Sequence, residues 1–326
     1  MMATTAFAPG RLILGCGNFG GIGSAPNLIG KGLDEAASFE TMDEAVALGI
    51  TLFDTAERYA GGASEEMMGR WLAAEDEATR DGVRISTKVA PPTTEGLDRP
   101  FDEAFLRERF ERSCQRLGVD SVELLMTHAP DDDTPIEDTM EGLEAMRADG
   151  LCAFLGACNL DPVRLTAALD AADRLGVTGY EVVQNGYSLL QPDGEAEVRS
   201  ICAERGMAFT PYSAMAGGIL TGKYRRNEKP PENTRMALRP EGFLALQTPE
   251  VNDALDRLRD AAAGKGVSSG ALALAWLIHS PTVTAPIFGP SRPKPHLTPA
   301  AEAIGIDLTP DEHELVASWF REASGR

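Results

Sequence analysis

Short apolar runs alternate with amphipathic segments along most of the chain. The clearest amphipathic segment has apolar residues at intervals of four, four and three, which predicts one buried face of a helix. Its apolar residues are Leu106, Phe110, Cys114 and Leu117. A second segment, at 136–146, has the same kind of face, and the apolar run at 122–126 between them predicts a buried parallel strand. The pattern therefore predicts strands and helices in alternation.

Eight runs along the chain are predicted to form strands. The first occupies residues 11–20 together with a glycine-rich turn. The other seven lie at residues 50–54, 83–88, 122–126, 151–156, 181–184, 207–211 and 282–287. Helices are predicted between nearly all of them, and one begins after Phe53–Tyr59 with Ser64 as its N-cap. This order favours an α/β fold, a (β/α)8 TIM barrel forming a single domain over residues 1–326. A doubly wound open sheet is the alternative.

Charge and composition narrow the classes of function. The 326 residues carry a formal net charge of −20, which argues against nucleic acid and an anionic membrane surface as partners. The cysteines number five and have no metal-ligand spacing, so free thiols in a reducing cytosol are expected. The first residues lack a secretory signal pattern, and the longest apolar stretch, Ala271 to Ile278, is too short to span a bilayer. We therefore expect a cytoplasmic protein.

Two glycine-rich segments match nucleotide-binding patterns only in part. Gly15 to Gly20 fits G-x-G-x-x-G, but the residues that follow, up to Pro26, cannot open the helix that the dinucleotide fingerprint requires. Gly217 to Lys223 fits G-x-x-x-x-G-K, but Tyr224 stands where a P-loop has serine or threonine. Neither segment is therefore interpreted as a phosphate loop of those two kinds.

Polar residues end or follow six of the predicted strands. They are Asp54, Lys88, His128, Asn159, Gln184 and Tyr212, and Tyr59 lies in the loop after the strand that ends at Asp54. The carboxyl ends of barrel strands meet at one mouth, where active sites lie. A single lysine or histidine at a strand end is more often a satisfied polar group than a catalyst. Several such residues from separate strands favour a site.

These side chains suit one kind of acid–base chemistry. A tyrosine has an ordinary pKa of about 10, and a neighbouring lysine ammonium lowers that pKa. Asp54 can keep a buried Lys88 charged, and His128 can orient a substrate oxygen or help to pass a proton. The set suits protonation of a carbonyl oxygen while hydride arrives at carbon, with no metal. A metal site of His128 with residues 131–133 is set aside, because consecutive acids in a loop more often form a solvated turn.

The sequence resembles the aldo-keto reductase superfamily over nearly its whole length. Phe53-Asp54-Thr55-Ala56-x-x-Tyr59 is similar to the first family signature, and Ser86-Thr87-Lys88 resembles the lysine strand. The segments 116–120 and 124–131 resemble the part of the family sequence that carries its histidine. The resemblance implies that Tyr59 is the general acid, that Lys88 lowers its pKa, that Asp54 holds Lys88, and that His128 orients the carbonyl. The loop at 216–224 is similar to that of the branch containing aflatoxin-aldehyde reductases and many bacterial relatives.

The same resemblance implies a nicotinamide cofactor, NADP(H), with NAD not excluded. Asn159 would bind the carboxamide with Gln184, Tyr212 would stack on the ring, and Cys158 stands where serine is usual. The long segment 214–248 would close over the pyrophosphate, and Arg292 would meet a 2′-phosphate. After Leu297 the family's Leu-x-Glu-Asn pattern is replaced by Thr-Pro-Ala. The full set of implied cofactor residues is Gly17, Asn18, Cys158, Asn159, Gln184, Tyr212, Ser213, Met215, Gly217, Gly218, Lys223, Gly289, Ser291 and Arg292.

The expected activity is reduction of a small-molecule aldehyde or ketone. Phe19, Arg58 and His128, with the loop 90–101 and the C-terminal tail, are the candidate substrate contacts, but no motif names the substrate. Two alternatives stay open. One is a cofactor-binding interaction subunit, as in potassium-channel β-subunits of the family, and the other is a pathway-specific ketoreductase of keto-sugars or natural products. A homo-oligomer is also left open.

Overall fold

A computed structural model describes residues 6–90, 101–131, 133–226, 228–240, 243–290 and 294–324. Within these residues the chain forms eight strands that all pair in parallel, in the order β7-β6-β5-β4-β3-β2-β1-β8. The strands are β1 (Ile13–Gly15), β2 (Leu52–Asp54), β3 (Arg84–Val89), β4 (Val122–Thr127), β5 (Cys152–Cys158), β6 (Val182–Gln184), β7 (Ala208–Phe209) and β8 (Ile287–Phe288).

Backbone hydrogen bonds join the two end strands of this sheet. The N–H of Thr284 donates to the carbonyl of Phe209 at 2.8 Å, and the N–H of Ile287 donates to the carbonyl of Pro211 at 2.8 Å. The sheet therefore curls round on itself, as expected for a barrel rather than for the doubly wound alternative. The last strand begins later than the predicted 282–287, because residues 281–286 are used for a turn and for this closing contact.

Twelve α-helices lie within the described residues and cover the outside of the sheet. They are α1 (Glu35–Ala47), α2 (Ala63–Ala74), α3 (Glu77–Gly82), α4 (Glu103–Leu117), α5 (Ile136–Ala148), α6 (Pro162–Leu175), α7 (Ala196–Arg205), α8 (Arg235–Leu238), α9 (Pro249–Gly264), α10 (Ser269–Ile278), α11 (Thr298–Ile304) and α12 (Pro310–Ala323). No single helix in this part of the chain is long and apolar enough to cross a membrane; α9 and α10 pass that test only as a pair bent by 91°.

Side-chain caps explain where many of these helices begin. The carboxylates of Asp34 and Asp161 accept from the backbone N–H groups of Ala37 and Arg164, as their positions before an apolar pattern predict. Ser64 is different from its prediction. It lies inside α2, which starts after Gly62 at φ 104°, and its hydroxyl donates to the carbonyl of Cys16 at 3.0 Å. The hydroxyl is thus used to tie α2 to the end of β1.

The interior of the barrel changes from apolar to polar along the strands. At the amino-terminal end, Leu124, Phe154, Val182 and Ala208 form an apolar layer, and the ring of Phe7 packs edge-on against Phe154 at 5.2 Å between centroids. At the carboxyl end, the parallel register places Asp54 opposite Ser86 and Cys158 opposite Gln184. Alternate residues of a strand face inward, so this register gathers polar side chains at the mouth.

The long segment 214–248 is folded in its described part. It contains a 3-10 helix at Ala216–Thr221, the short α8 and a 3-10 turn at Leu244–Leu246. Tyr224 is buried within it, and its hydroxyl donates to the carbonyl of Gly217 at 3.2 Å. A disordered surface insertion would bury no such side chain, so the segment is a built part of the barrel mouth.

Candidate active site

The ammonium of Lys88 is the centre of the mouth. It donates to Oδ2 of Asp54 at 2.6 Å, to the carbonyl of Thr55 at 2.7 Å and to the hydroxyl of Tyr59 at 3.3 Å. These three contacts use the three donors that an ammonium has. Burial lowers the pKa of Lys88, but Asp54 and Tyr59 raise it by more, so the pKa lies above its ordinary value and the amine stays charged.

Tyr59 sits half-buried beside this ammonium. Burial raises its pKa to about 12, because the loss of water outweighs the opposing effect of Lys88. Lys88 acts on the phenol in the expected direction, since it lowers the pKa, but the effect of burial is larger. Lys88 limits the rise rather than reversing it. At neutral pH Tyr59 carries its proton and is ready to donate it.

His128 is neutral at the same mouth. Burial, and then the cations Lys88 and Arg58, together lower its pKa to about 3. Its ring meets that of Tyr59 edge to face, with centroids 5.7 Å apart. Among the described residues, Nδ1 of His128 is buried and has no hydrogen-bond partner. A neutral imidazole beside the phenol can donate one hydrogen bond to a substrate oxygen without taking up a proton.

A buried ion pair fixes the two backbone segments that carry Tyr59 and Lys88. Oε1 of Glu57 accepts from the N–H of Ala90 at 2.9 Å, and Oε2 accepts from Nε of Arg109 on α4 at 2.7 Å. The backbone N–H of Glu57 also donates to the carbonyl of Lys88 at 3.1 Å. Glu57 thus holds the Tyr59 loop against the end of β3, and Ala90 adopts a left-handed φ of 55° there. The sequence gives no signal for this clamp.

An amide and a phenol form the next part of the mouth. The hydroxyl of Tyr212 donates to Oδ1 of Asn159 at 2.8 Å, and Nδ2 of Asn159 donates to the carbonyl of His128 at 3.0 Å. Gly186 lies directly under the Tyr212 ring, and a Cβ on it would approach the ring within 3.3 Å. Gln184 points its Nε2 at Asp54, 3.0 Å away, which leaves its carbonyl oxygen to accept from a ligand.

Two cations of the segment 214–248 face this mouth. The pKa of Lys223 lies below its ordinary value. Loss of water contributes most to this, and the positive charge of Arg235 adds to it, so the two cations interact electrostatically. Arg235 also lies near Tyr59, which raises the arginine pKa against the larger effect of burial. Nη2 of Arg235 donates to Oδ1 of Asn18 at 2.9 Å, and Nδ2 of Asn18 donates to the carbonyl of Pro290 at 3.2 Å. Two cations brought together in this way fit an anion with two charged groups, such as a diphosphate.

A family model described as the aldo/keto reductase family matches residues 11–319. The chain belongs to the aldo/keto reductase family. The uncharacterized oxidoreductase YrpG of Bacillus subtilis is 31% identical over 99% of this chain and 96% of its own length. A probable voltage-gated potassium channel subunit beta of Arabidopsis thaliana is 33% identical over 75% of each chain. A solved glycerol dehydrogenase of Gluconobacter oxydans superposes with a TM-score of 0.79 over 100% of this chain and 98% of its own, at 24% identity, which supports the fold.

In this aldo/keto reductase the expected residues do not all reach the mouth. Hydrogen bonds and ring contacts join Asp54, Tyr59, Lys88 and His128 there, and Asn159, Gln184 and Tyr212 with them. Ser213, Met215, Gly217 and Gly218 follow Tyr212 along the chain, and a Cβ on Gly218 would meet the Lys223 side chain. Gly289 lies next to Asn18 just beyond β8, and Gly17 packs against the Tyr59 ring. Ser291, Arg292 and most of the loop 90–101 lie outside the described residues.

Two expected contacts are corrected by burial. Phe19 is 0% exposed and packs in the core against the helices, so its ring presents no surface to a substrate. Cys158 is 1% exposed, and its thiol lies 3.9 Å from the sulfur of Met126 inside the barrel, below the amide of Asn159. Arg235 is the residue that the sequence did not single out. A lone arginine in a long irregular segment has no periodic signal. Its position after Pro230-Pro231, in the segment 214–248 that was expected to close over the pyrophosphate, could have drawn attention to it.

Proposed function

We propose that this aldo/keto reductase reduces an aldehyde or ketone to an alcohol, with NADPH as hydride donor and Tyr59 as general acid. The observation that carries the proposal is the Lys88 ammonium, 2.6 Å from Asp54 and 3.3 Å from the Tyr59 hydroxyl. A charged, paired lysine beside a protonated phenol is what a proton donor to a carbonyl oxygen needs, because the ammonium stabilises the phenolate that remains.

The residues present fit a nicotinamide dinucleotide on chemical grounds. Lys223 and Arg235 offer positive charge for the pyrophosphate, and the free carbonyl of Gln184 and the amide of Asn159 suit the carboxamide. When bound, the dihydronicotinamide supplies hydride to the carbonyl carbon. Tyr212, next to Asn159, is the aromatic surface for the ring. The cofactor preference for NADP over NAD remains part of the proposal, since it depends on the segment around Arg292.

The protein's own residues carry the remaining steps. His128, neutral over the physiological range, donates to the substrate oxygen and sets its position next to Tyr59. Tyr59 then gives its proton to that oxygen as the carbon accepts hydride, and the product is the neutral alcohol. The phenolate left behind is balanced by Lys88 and regains its proton from water before the next turnover.

The proposal is tested with Tyr59→Phe and NADPH consumption over a panel of aldehydes, ketones and keto-sugars. Loss of the hydroxyl should reduce carbonyl reduction by a factor on the order of 10² to 10⁴, since Tyr59 is the group assigned to protonate that oxygen. Cofactor binding, followed by quenching of protein fluorescence, should stay close to wild type, because the phenyl ring keeps its packing. A variant as active as wild type would show that Tyr59 is not the acid.

A second candidate function rests on one relative. The Arabidopsis protein that is 33% identical to this chain is named a probable potassium channel subunit beta, so a cofactor-binding interaction subunit is the other function we consider. Single-turnover stopped-flow spectroscopy separates the two: a reductase oxidises bound NADPH on mixing with a carbonyl compound, whereas a subunit that only binds cofactor does not. We also infer a cytoplasmic location, which the five free thiols support.

A further inference from the structure

The second carboxylate oxygen of Asp54 has partners that the proposed reaction does not use. Oδ2 accepts from Lys88, while Oδ1 accepts from the hydroxyl of Ser86 at 3.1 Å and from Nε2 of Gln184 at 3.0 Å. Asp54, Ser86 and Gln184 are 3%, 1% and 2% exposed. The carboxylate therefore accepts three hydrogen bonds in a site that is shielded from solvent, and two of them come from neutral donors.

The hydrogen bonds from Ser86 and Gln184 affect how strongly the positive charge of Lys88 acts on the Tyr59 phenol. Lys88 and Asp54 act on the pKa of Tyr59 in opposite directions: the ammonium lowers it and the carboxylate raises it. A carboxylate that accepts more hydrogen bonds is a weaker base, because the donors stabilise its charged form. It then draws less on the Lys88 proton and cancels less of the positive charge that faces Tyr59.

We propose that Ser86 and Gln184 are positioning residues that share the negative charge of the Asp54 carboxylate through their hydrogen bonds to Oδ1, so that Lys88 acts on Tyr59 with more of its charge. Both act through Asp54, and neither touches the reacting atoms in this role. The geometry supports a specific function for Ser86, since β2 and β3 pair in a register that puts residues 54 and 86 side by side.

The hydrogen bond from Gln184 to Asp54 has a second consequence, which rests on the proposed function. Its Nε2 donates to Asp54, and its carbonyl oxygen is the group that would accept from the nicotinamide carboxamide. An amide that accepts on one side becomes a better donor on the other, because hydrogen-bonded groups polarise one another. With a carboxamide held there, Gln184 would donate more strongly to Asp54, and the acidity of Tyr59 would increase.

The charge states of the other ionisable groups near Tyr59, Asp54 and Lys88 must stay constant during a test. Beyond Asp54 and Lys88, those coupled to Tyr59 or to that pair are Cys16, His128, Cys158, Tyr212 and Arg235, and Arg58 acts on His128. Burial raises the pKa of the Cys158 thiol to about 12 and lowers that of His128 to about 3. Neither therefore changes charge between pH 6 and 10 in the range that the test uses.

The test replaces Ser86 by alanine in a protein with 2,3,5-trifluorotyrosine at position 59. Three ring fluorines lower the phenol pKa by several units from the value of about 12 that Tyr59 has, so its titration falls between pH 6 and 10 and is followed by ¹⁹F NMR while the protein stays folded. The Ser86→Ala variant should shift the pKa of the fluorotyrosine upward by about 0.5 unit or more, because one donor to a charged group is lost. Adding NADP⁺ should lower that pKa in the parent and should lower it less in a Gln184→Leu variant.

Thr87→Ala is the matched control. Thr87 is the next residue on β3, is also fully buried and also donates its hydroxyl to a carboxylate, Oε1 of Glu65, at 2.6 Å. Its side chain faces α2 rather than the barrel interior. The Thr87→Ala variant should therefore lose about as much stability as Ser86→Ala, while the pKa of the fluorotyrosine should stay unchanged. Equal shifts in the two variants, or none in Ser86→Ala, would overturn the proposal.

Two further comparisons keep the outcome readable. If Ser86→Ala does not fold, Ser86→Cys retains the side-chain volume with a weaker donor, and a smaller upward shift is expected. The ¹⁹F titration needs no turnover, so it is independent of the proposed reaction. A protein that shows the Ser86-dependent shift but reduces no carbonyl compound would support this inference and contradict the proposed function. A protein that reduces carbonyl compounds but shows no such shift would support the proposed function and contradict this inference.

Discussion

Three side chains at the mouth hold charge states that depend on one another. Lys88 keeps its proton because Asp54 is 2.6 Å away, and Tyr59 keeps its proton because burial raises its pKa to about 12. His128 stays neutral because the same burial and the cation Lys88 lower its pKa to about 3. The protein thus presents one positive charge and two neutral donors to a substrate oxygen, at any pH from about 5 to 9.

His128 makes the stability of the protein depend on pH. In the unfolded chain its pKa is 6.5, while burial, Lys88 and Arg58 lower it to about 3 in the folded protein. Between these values the unfolded chain binds more protons, so stability is fully present above about pH 6.5 and is lost as pH falls. The loss from this residue should be about 2 kcal/mol at pH 5.

A His128→Gln variant removes that titration and keeps a neutral hydrogen-bond donor. Urea unfolding of the two proteins at pH 8 and pH 5 measures the difference in free energy of unfolding. The wild type should lose about 1–2 kcal/mol more than the variant between the two pH values. Equal losses would mean that His128 titrates near its ordinary pKa in the folded protein, which would contradict a buried imidazole that stays neutral at pH 5.

At the scale of elements, the Glu57 and Arg109 pair joins the β2–α2 loop, β3 and α4. The side chain of Glu57 is 1% exposed and that of Arg109 is 16% exposed, so neither charge is well solvated. Glu57→Gln leaves the guanidinium without its counter-charge and should lower the free energy of unfolding by about 2–3 kcal/mol. It should also reduce carbonyl reduction more than cofactor affinity, because the Tyr59 loop loses its tie to the end of β3. Urea unfolding and steady-state kinetics measure the two effects.

Arg112→Gln is the control for that variant. Arg112 lies on the same helix, α4, and pairs with Glu108 at 2.7 Å, but the two side chains are 52% and 39% exposed. Exposed pairs of this kind contribute about 0.5 kcal/mol or less, so the variant should remain close to wild type in stability and in activity. A loss in Glu57→Gln no larger than the loss in Arg112→Gln would contradict the clamp.

The elements that could be predicted from the sequence are those with a strong local pattern. The face at Leu106, Phe110 and Leu117, the cap at Asp161 and the buried run that becomes β4 are all confirmed, because helix periodicity, capping and strand burial depend on nearby residues. The strand ends at Asp54 and Lys88 also follow from the chain order of a barrel. Family signatures then indicated which of the polar residues at those ends belong together.

What could not be predicted depends on contacts across the fold. Ser64 has the composition of a cap, but its hydroxyl reaches Cys16, which is distant in sequence. The bond from Arg235 to Asn18 joins residues 217 positions apart, and the Glu57 to Arg109 clamp joins residues 52 apart. The sign of the Tyr59 shift depends on burial, which a sequence motif does not contain. These features require the three-dimensional neighbours of each group.

At the scale of the whole molecule, the proposed cofactor site is positively charged although the protein has a negative net charge. The chain has a formal net charge of −20, yet Lys223 and Arg235 bring two cations to the mouth. An approaching dinucleotide is an anion, so the molecule as a whole repels it while the mouth attracts it. The Debye length falls from about 30 Å at 0.01 M salt to about 10 Å at 0.1 M, so added salt screens the distant acids first.

This opposition predicts how salt changes cofactor association. Stopped-flow fluorescence of NADPH binding should give a rate constant that rises or stays level from 0.01 to 0.1 M salt, because long-range repulsion is screened before the local attraction. Arg235→Gln removes one local cation, so its rate constant should be several-fold lower and should rise more steeply with salt. Arg225→Gln changes the same net charge at an exposed position of the same segment and should behave as wild type. A wild-type rate that falls with salt would mean that the cations at the mouth outweigh the acidic surface at every range.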